Sequence, residues 1–336
     1  MAKKAINDAK NVVQETFEGF LATHGKHFHQ LEGVTAIAKN HMGPDKVGFV
    51  IGGGSGHEPM FLEFIGPGFA DAVAQGQIFA APSPDIVLAA TKAAERGRGV
   101  LYVYGNYAGD NLNFDMAAEL AGLEGIRTAT VRVMDDVASA PPERITDRRG
   151  IAGDFFVIKV AGAVCDAGCG LEEVKRVAEK ARDNVRTMGV AFSPGTIPGT
   201  AKAPFELPED EIEIGMGLHW EPAVRRGKMQ PANDLVDQML ELILPDKPIV
   251  RGDEVCVLVN GFGATTRMEL WIVMRRALSF LVEKGIKVYD SLVGNFATCQ
   301  EMAGFSITLF CLDKELKKYF DWPAWCPAYT NHHSGE

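Results

Sequence analysis

The sequence has no excess of positive charge: 34 Lys and Arg stand against 44 Asp and Glu, for a net charge of −10. A nucleic-acid binder carries a basic patch or stripe, and a polybasic membrane anchor carries a cluster of cations, so both classes are disfavoured. No apolar run approaches the roughly 18 to 20 residues that a membrane-spanning helix needs. The opening MAKKAINDAKNVVQ has Lys3 and Lys4 but no apolar segment behind them, so no signal peptide is expected. Cysteine is sparse: the six residues Cys165, Cys169, Cys256, Cys299, Cys311 and Cys326 form no disulfide framework in a chain of 336, and a reducing cytoplasm is expected. Cys165 and Cys169 lie four apart in an Ala/Gly-rich segment with no second pair at zinc spacing, and read as buried small residues. No tandem repeat of fixed period is present.

What is there suggests a folded enzyme-sized chain. Hydrophobic residues make up 46% and charged residues 23%, enough for a sizeable core, and the length favours two domains. KVGFVIGG (46–53), GVLYVYGN (99–106) and IRTATVRVMDD (126–136) are short apolar runs ending in loops, as buried parallel strands do. PDIVLAATKAAERG (84–97) and FDMAAELAGLEG (114–125) between them have helical spacing. This βαβα alternation predicts an open parallel sheet flanked by helices. Residues 150–192 read as long helical material leading out of it, followed by a Pro/Gly-rich passage (193–227). A second α/β pattern then begins: strand DEVCVLVNGFG (253–263), helix MELWIVMRRALSFLVEKG (268–285), and strands IKVYDSLVGNF (286–296) and FSITLFCLD (305–313). The expected fold is α/β with two domains of mostly parallel sheets, residues 1–187 and 188–336, and the site between them.

Three segments are candidates for chemistry. Gly52-Gly53-Gly54-Ser55-Gly56-His57-Glu58-Pro59 follows a strand, where glycines let backbone approach a ligand. It lacks the Lys of a P-loop and the spacing of a dinucleotide fingerprint, and His57 stands where a nucleophile elbow needs glycine. The alternative is a structural turn with a satisfied histidine. Gly105-Asn106-Tyr107-Ala108-Gly109-Asp110 follows another strand, and ligands gather at the carboxyl ends of parallel strands. Asp110 is a plausible base for a hydroxyl proton, or else Asp110 or Asn113 caps a helix beginning near Phe114. In Gly217-Leu218-His219-Trp220-Glu221, the imidazole can act as base or nucleophile, or be structural. Elsewhere, Asp135-Asp136 with Arg148-Arg149 read as a solvated loop with a surface ion pair. His24, His27 and His29 lack an acidic partner for a metal. His332 and His333 read as disordered tail.

Taken together, these segments resemble the substrate-binding (K-type) subunit of dihydroxyacetone kinases over about residues 15–328. The marks are GGGSGHEP (52–59), NYAGDNLNF (106–114), DDVA (135–138), RRGIAG (148–153), FELPEDEIEIGMGLHWEP (205–222), LVNGFG (258–263) and EMAGFSITL (301–309). The resemblance implies two α/β domains in a homodimer, with no metal or cofactor held by this chain. It implies that His219 adds to the substrate ketone and holds it as a hemiaminal. It implies that His57 hydrogen-bonds the sugar and assists proton transfer, and that Asp110 takes the proton from the terminal hydroxyl. Gly54 and Ser55 line the pocket. Nothing in the chain resembles a nucleotide or Mg²⁺ site, so the resemblance implies a separate L-type subunit that carries ATP–Mg²⁺, or ADP–Mg²⁺ recharged by a phosphotransferase-system protein.

The chain departs from the family pattern at three places. Gly105 stands where Lys is usual, Ala81 where Ser is usual, and His219-Trp220-Glu221-Pro222-Ala223 replaces His-Gly-Glu-Pro-Gly. Losing a cation and gaining an indole changes the rim at Gly105 and Trp220, so the expected substrate is a larger ketose, a tetrulose such as erythrulose. Two other readings stand beside it: a ketose sensor or regulator without phosphoryl transfer, and a lipid carrier of related architecture. Asp110 counts against the sensor, which has no need of a base. The polar His57, Asp110 and His219 count against the lipid carrier.

Overall fold

The structure, a computed structural model, describes residues 3–200, 203–221 and 224–331. Helix α1 (Val12–His24) leads into β1 (Phe28–Gln30) and β2 (Ala36–Lys39), an antiparallel pair. They are followed by β3 (Gly48–Ser55), β4 (Ala72–Ile78), α2 (Pro84–Ala94), β5 (Val100–Gly105), α3 (Ala108–Leu123) and β6 (Thr128–Val133), giving a six-stranded sheet of order β1-β2-β4-β3-β5-β6. β3 runs parallel to β4 and β5, and β5 parallel to β6.

Both faces of this sheet are covered, which is why its central strands read as unbroken apolar runs. Side chains alternate between faces along a strand. Phe49 and Ile51 of β3 and Leu101 and Val103 of β5 enter one core with Phe155 and Ile158. Val50, Tyr102 and Tyr104 enter the other, under Val87 of α2 and Phe114 of α3.

The expectation of long helical material over 150–192 is corrected. α4 (Asp154–Asp166) ends before Gly168, which sits at φ +76°; α5 (Leu171–Asp183) follows, and Val185–Ser193 form strand β7. α4 is buried along Asp154 to Cys165, so it shows no polar face to mark its end, and only the glycines do so. Thr187, at the expected domain boundary, lies inside β7.

β7 belongs to a second sheet with β8 (Glu211–Ile214), β9 (Arg225–Lys228), β10 (Glu254–Gly261), β11 (Lys287–Gly294) and β12 (Ala303–Leu312), in the order β11-β10-β12-β7-β8-β9. α6 (Ala232–Asp246) and α7 (Arg267–Lys284) pack on one face of it through Leu235, Met239, Leu270 and Ala277. α7 starts where Thr266 and Glu269 form a capping box and stops at Gly285 in the left-handed region, φ +74°. α8 (Lys314–Phe320) and the hairpin β13 (Ala324–Cys326) and β14 (Tyr329–Asn331) complete the described chain.

The two-sheet α/β architecture is as expected, but "mostly parallel" is true only of the first sheet's centre. In the second, only β10 and β11 pair in parallel, and the remaining neighbours are antiparallel. The reason is connection length. β10 reaches β11 through the helical crossover α7, whereas β11 turns into β12 through the short loop 295–302, too short to bring a strand back in the same direction. No helix among the described residues is long and apolar enough to cross a membrane.

Candidate active site

β3 and β5 are parallel neighbours, so their carboxyl ends and the loops after them open together. The turn after β8 adds His219 from the second sheet. The result is a small cavity lined by Gly54, His57, Gly105, Asp110 and His219, among others. Glycine is required where chains pass closely: a Cβ on Gly54 would come within 2.8 Å of the Ala80 nitrogen.

The two histidines meet face to edge, their rings 4.7 Å apart at 88°. His57 is 2% exposed. Its Nδ1 lies 2.7 Å from the Thr298 carbonyl oxygen, which can only accept, so Nδ1 carries a hydrogen and Nε2 a lone pair. That Nε2 is 3.0 Å from His219 Nε2. Burial, and then the charge of His219, push His57 down to about 3, so it stays neutral.

His219 is held from its other side. Its Nδ1 lies 3.3 Å from Glu221 Oε1, and Glu221 Oε2 accepts the His219 backbone N–H at 3.0 Å. Burial alone would raise the Glu221 carboxyl, but the hydrogen bond and charge of His219 and the charge of Arg149 outweigh it and hold it at about 2. Arg149 Nη1 is 3.5 Å from Glu221, while its Nε and Nη2 bind Asp136 Oδ2 at 3.0 and 2.6 Å. A charge chain Asp136–Arg149–Glu221–His219 thus orients the ring. Tyr107 stands edge-on to His219 at 4.5 Å, and Phe79 packs on His57 at 4.8 Å.

Asp110 lies in the first turn of α3, which begins at Ala108, earlier than the expected start near Phe114. The capping alternative is corrected: Tyr107 is the N-cap residue without a side-chain cap, and Asn113 donates to the Pro82 carbonyl at 2.8 Å. Burial raises Asp110 to about 7, against the pull of His219. Among the described residues its Oδ1 has no hydrogen-bond partner. A carboxyl that titrates near neutrality beside open space suits a general base.

Ser55 is placed differently. Its hydroxyl donates to the Gly76 carbonyl at 2.7 Å, and the residue faces a neighbouring hollow beside Val13 and Gln300. Trp220, at φ +61°, packs edge-on against Phe79 at 4.8 Å, with its indole nitrogen unpartnered among the described residues. Pro222, Ala223, His332 and His333 lie outside the described residues. Ala81 borders α3, where a Cβ on Gly109 would meet it at 3.3 Å. His27 packs on Trp325 and His29 bonds Asn40, and no metal-capable cluster occurs among the described residues. Cys165 is buried and Cys169 partly so.

The reading of Asp135, Asp136, Arg148 and Arg149 as a solvated loop is corrected. Asp135, Asp136 and Arg148 are fully buried. Asp135 accepts the amides of Ile151 and Gly153, and Arg148 forks onto Asp246 of α6 at 2.8 and 2.5 Å. The ion pair itself is present, between Arg149 and Asp136, but it is buried, and the Asp246 carboxylate that holds Arg148 comes from far along the chain, so the local sequence read as surface charge. Tyr107, Phe79, Arg149, Thr298 and Asp154 were not singled out. Glu221 was named only as an acidic neighbour of His219, and its spacing of two residues was the available signal.

A family model described as the Dak1 domain matches residues 18–328. The chain is 44% identical over 329 residues to the PTS-dependent dihydroxyacetone kinase 2, dihydroxyacetone-binding subunit DhaK, of Listeria innocua, covering 97% of this chain and 99% of that one. It is 39% identical to the L-erythrulose kinase of Pectobacterium atrosepticum, covering 96% of this chain but 55% of that one. Among solved structures, the dihydroxyacetone kinase operon co-activator Dha-DhaQ superposes with a TM-score of 0.89 at 28% identity, covering 95% of this chain and 98% of that one.

Proposed function

Since the chain belongs to the Dak1 domain family, we propose that it is the ketose-binding subunit of a dihydroxyacetone-kinase-like phosphotransferase. It holds a short-chain ketose, dihydroxyacetone or a tetrulose such as erythrulose, as a hemiaminal on His219. A separate nucleotide-bearing subunit completes the enzyme, and ATP–Mg²⁺ or ADP–Mg²⁺ on that subunit supplies the phosphoryl group. A cytoplasmic homodimer of two-domain chains, divided near residue 187, belongs to the same proposal.

The observation that carries the reading is the Nε2–Nε2 contact of 3.0 Å between His57 and His219, with Glu221 on the far side of His219. Each Nδ1–H is committed to an acceptor, so one proton lies between the two Nε2 atoms. When a ketone enters, that proton passes through His57 Nε2 without resting there and frees the His219 lone pair, which forms a bond to the carbonyl carbon. The carbonyl π electrons move to oxygen, and the proton is delivered there as the hemiaminal hydroxyl. The substituted ring keeps its positive charge beside the Glu221 carboxylate. Such a bond needs a carbonyl, so glycerol is rejected. The tethered ketose presents a terminal hydroxyl to Asp110, which removes its proton as the oxygen attacks phosphorus; orientation is most of what phosphoryl transfer asks of a protein.

The test is carbon NMR of the purified chain with dihydroxyacetone and erythrulose labelled at the carbonyl carbon. The ketone signal is expected to move to the tetrahedral region, and not in His219→Ala. No adduct with either sugar sinks the proposal.

The likeness to an operon co-activator favours a second reading, a non-catalytic ketose sensor. Both readings need the adduct. Turnover with a nucleotide-bearing subunit, lost in Asp110→Asn, separates them in favour of the kinase.

A further inference from the structure

The cavity holds a second carboxyl that the proposed chemistry does not use. Asp154 opens α4, is fully buried, and lines the cavity with Gly105, Tyr107, Asp110, His57 and His219. Neither of its carboxyl oxygens has a partner among the described residues. Buried carboxyls are ordinarily satisfied, so one left open beside a ligand cavity points to a ligand group. Burial, followed by the charges of Asp135 and Asp110, pushes Asp154 well above the usual carboxylate range. It is therefore a neutral acid with one hydrogen to donate and one oxygen to accept.

The position facing it is Gly105. A Cβ built there would point between Tyr107 Cε2 at 3.2 Å and Asp154 Oδ2 at 3.3 Å. These contacts, with the Gly150 carbonyl oxygen at 3.4 Å, are close, so at Gly105 the bare backbone passes beside the acid and no side chain stands between Asp154 and the cavity. A triose anchored on His219 with one hydroxymethyl at Asp110 has a single carbon left beyond the carbonyl, whereas a tetrulose has two, the outer one carrying a hydroxyl that reaches further.

We propose that Asp154 is a specificity-determining residue that pairs with a hydroxyl on the fourth carbon of a tetrulose, at the side of the cavity bordered by Gly105. A carbinol hydroxyl donates and accepts once each, which matches a neutral carboxyl. This inference rests on the ketose-binding reading and names its substrate class.

The test measures adduct dissociation constants by the same carbon NMR with three labelled ketoses: dihydroxyacetone, erythrulose, and 1,3-dihydroxybutan-2-one, which has four carbons but lacks the terminal hydroxyl. The wild-type chain is expected to bind erythrulose about tenfold tighter than the deoxy analogue. Asp154→Ala removes that preference and leaves the other two ketoses within about twofold, while Asp154→Asn, whose amide also donates and accepts, keeps most of it. Equal binding of erythrulose and its deoxy analogue by the wild type overturns the inference, and that comparison requires no variant. Equal weakening of all three ketoses by Asp154→Ala also overturns it, since a merely structural role would do the same. Absence of any adduct in the wild type brings down the ketose-binding reading itself, and this inference with it.

Discussion

His57 and His219, 162 residues apart in sequence, meet Nε2 to Nε2 at 3.0 Å, each with its Nδ1 committed to an oxygen acceptor. A hydrogen bond at that contact needs one proton between the two Nε2 atoms, and the proposed chemistry passes it to the ketone oxygen. His57→Ala removes the relay but leaves the nucleophile. With the nucleotide-bearing subunit present, turnover is expected to fall about a hundredfold, with the carbon NMR adduct still formed on His219. An unchanged turnover number would show that solvent carries the proton.

Glu221→Gln keeps an oxygen near the His219 Nδ1 but loses the charge that balances the substituted ring. A charge-assisted hydrogen bond becomes a neutral one, and the ketose adduct is expected to weaken about tenfold, read by titration of the tetrahedral carbon signal.

Asp110 links activity and stability through one carboxyl. As the proposed base it must be ionised, so kcat/KM with the proposed nucleotide-bearing subunit should rise with pH through about 7. Asp110→Asn should abolish turnover while retaining the adduct. The folded value of about 7 lies above the ordinary 3.8, so its contribution to stability is present below pH 3.8 and lost as pH rises through about 7. Asp110→Asn should then be more stable than wild type at pH 8, by on the order of a few kcal/mol, with the difference shrinking towards pH 4 in denaturant titrations.

Asp246 receives Arg148 at 2.8 and 2.5 Å and Arg186 at 2.5 Å, all three nearly excluded from water. Asp246→Ala leaves two buried guanidinium groups uncompensated and is expected to cost about 3–5 kcal/mol in chemical unfolding. The bridge touches no cavity residue, so ketose binding below the unfolding transition should stay within about twofold.

Much of the frame was legible in the chain. β3, β5 and α7 announce themselves through doubly buried apolar runs and a capped amphipathic helix, signals that depend on neighbours in sequence. The 150–192 segment misled because α4 is buried nearly all round, its Asp154 and Lys159 included, and β7 follows α5 after a single residue, so no polar face separates them. The antiparallel second sheet was missed because strand direction depends on the loops between strands, and no pattern within a strand records it.

For the site, the residue types determined the chemistry on offer: two histidines and an aspartate in glycine-rich loops after strands. Local sequence could also place Glu221 beside His219. Only the tertiary structure decided that the Asp136–Arg149 pair lies behind that glutamate, that the Ser55 hydroxyl turns to Gly76, and that Asp154 lies unpartnered beside Gly105. These relationships join residues far apart in the chain, and burial sets both their partners and their protonation. Covalent order along the chain carries neither until the strands have paired.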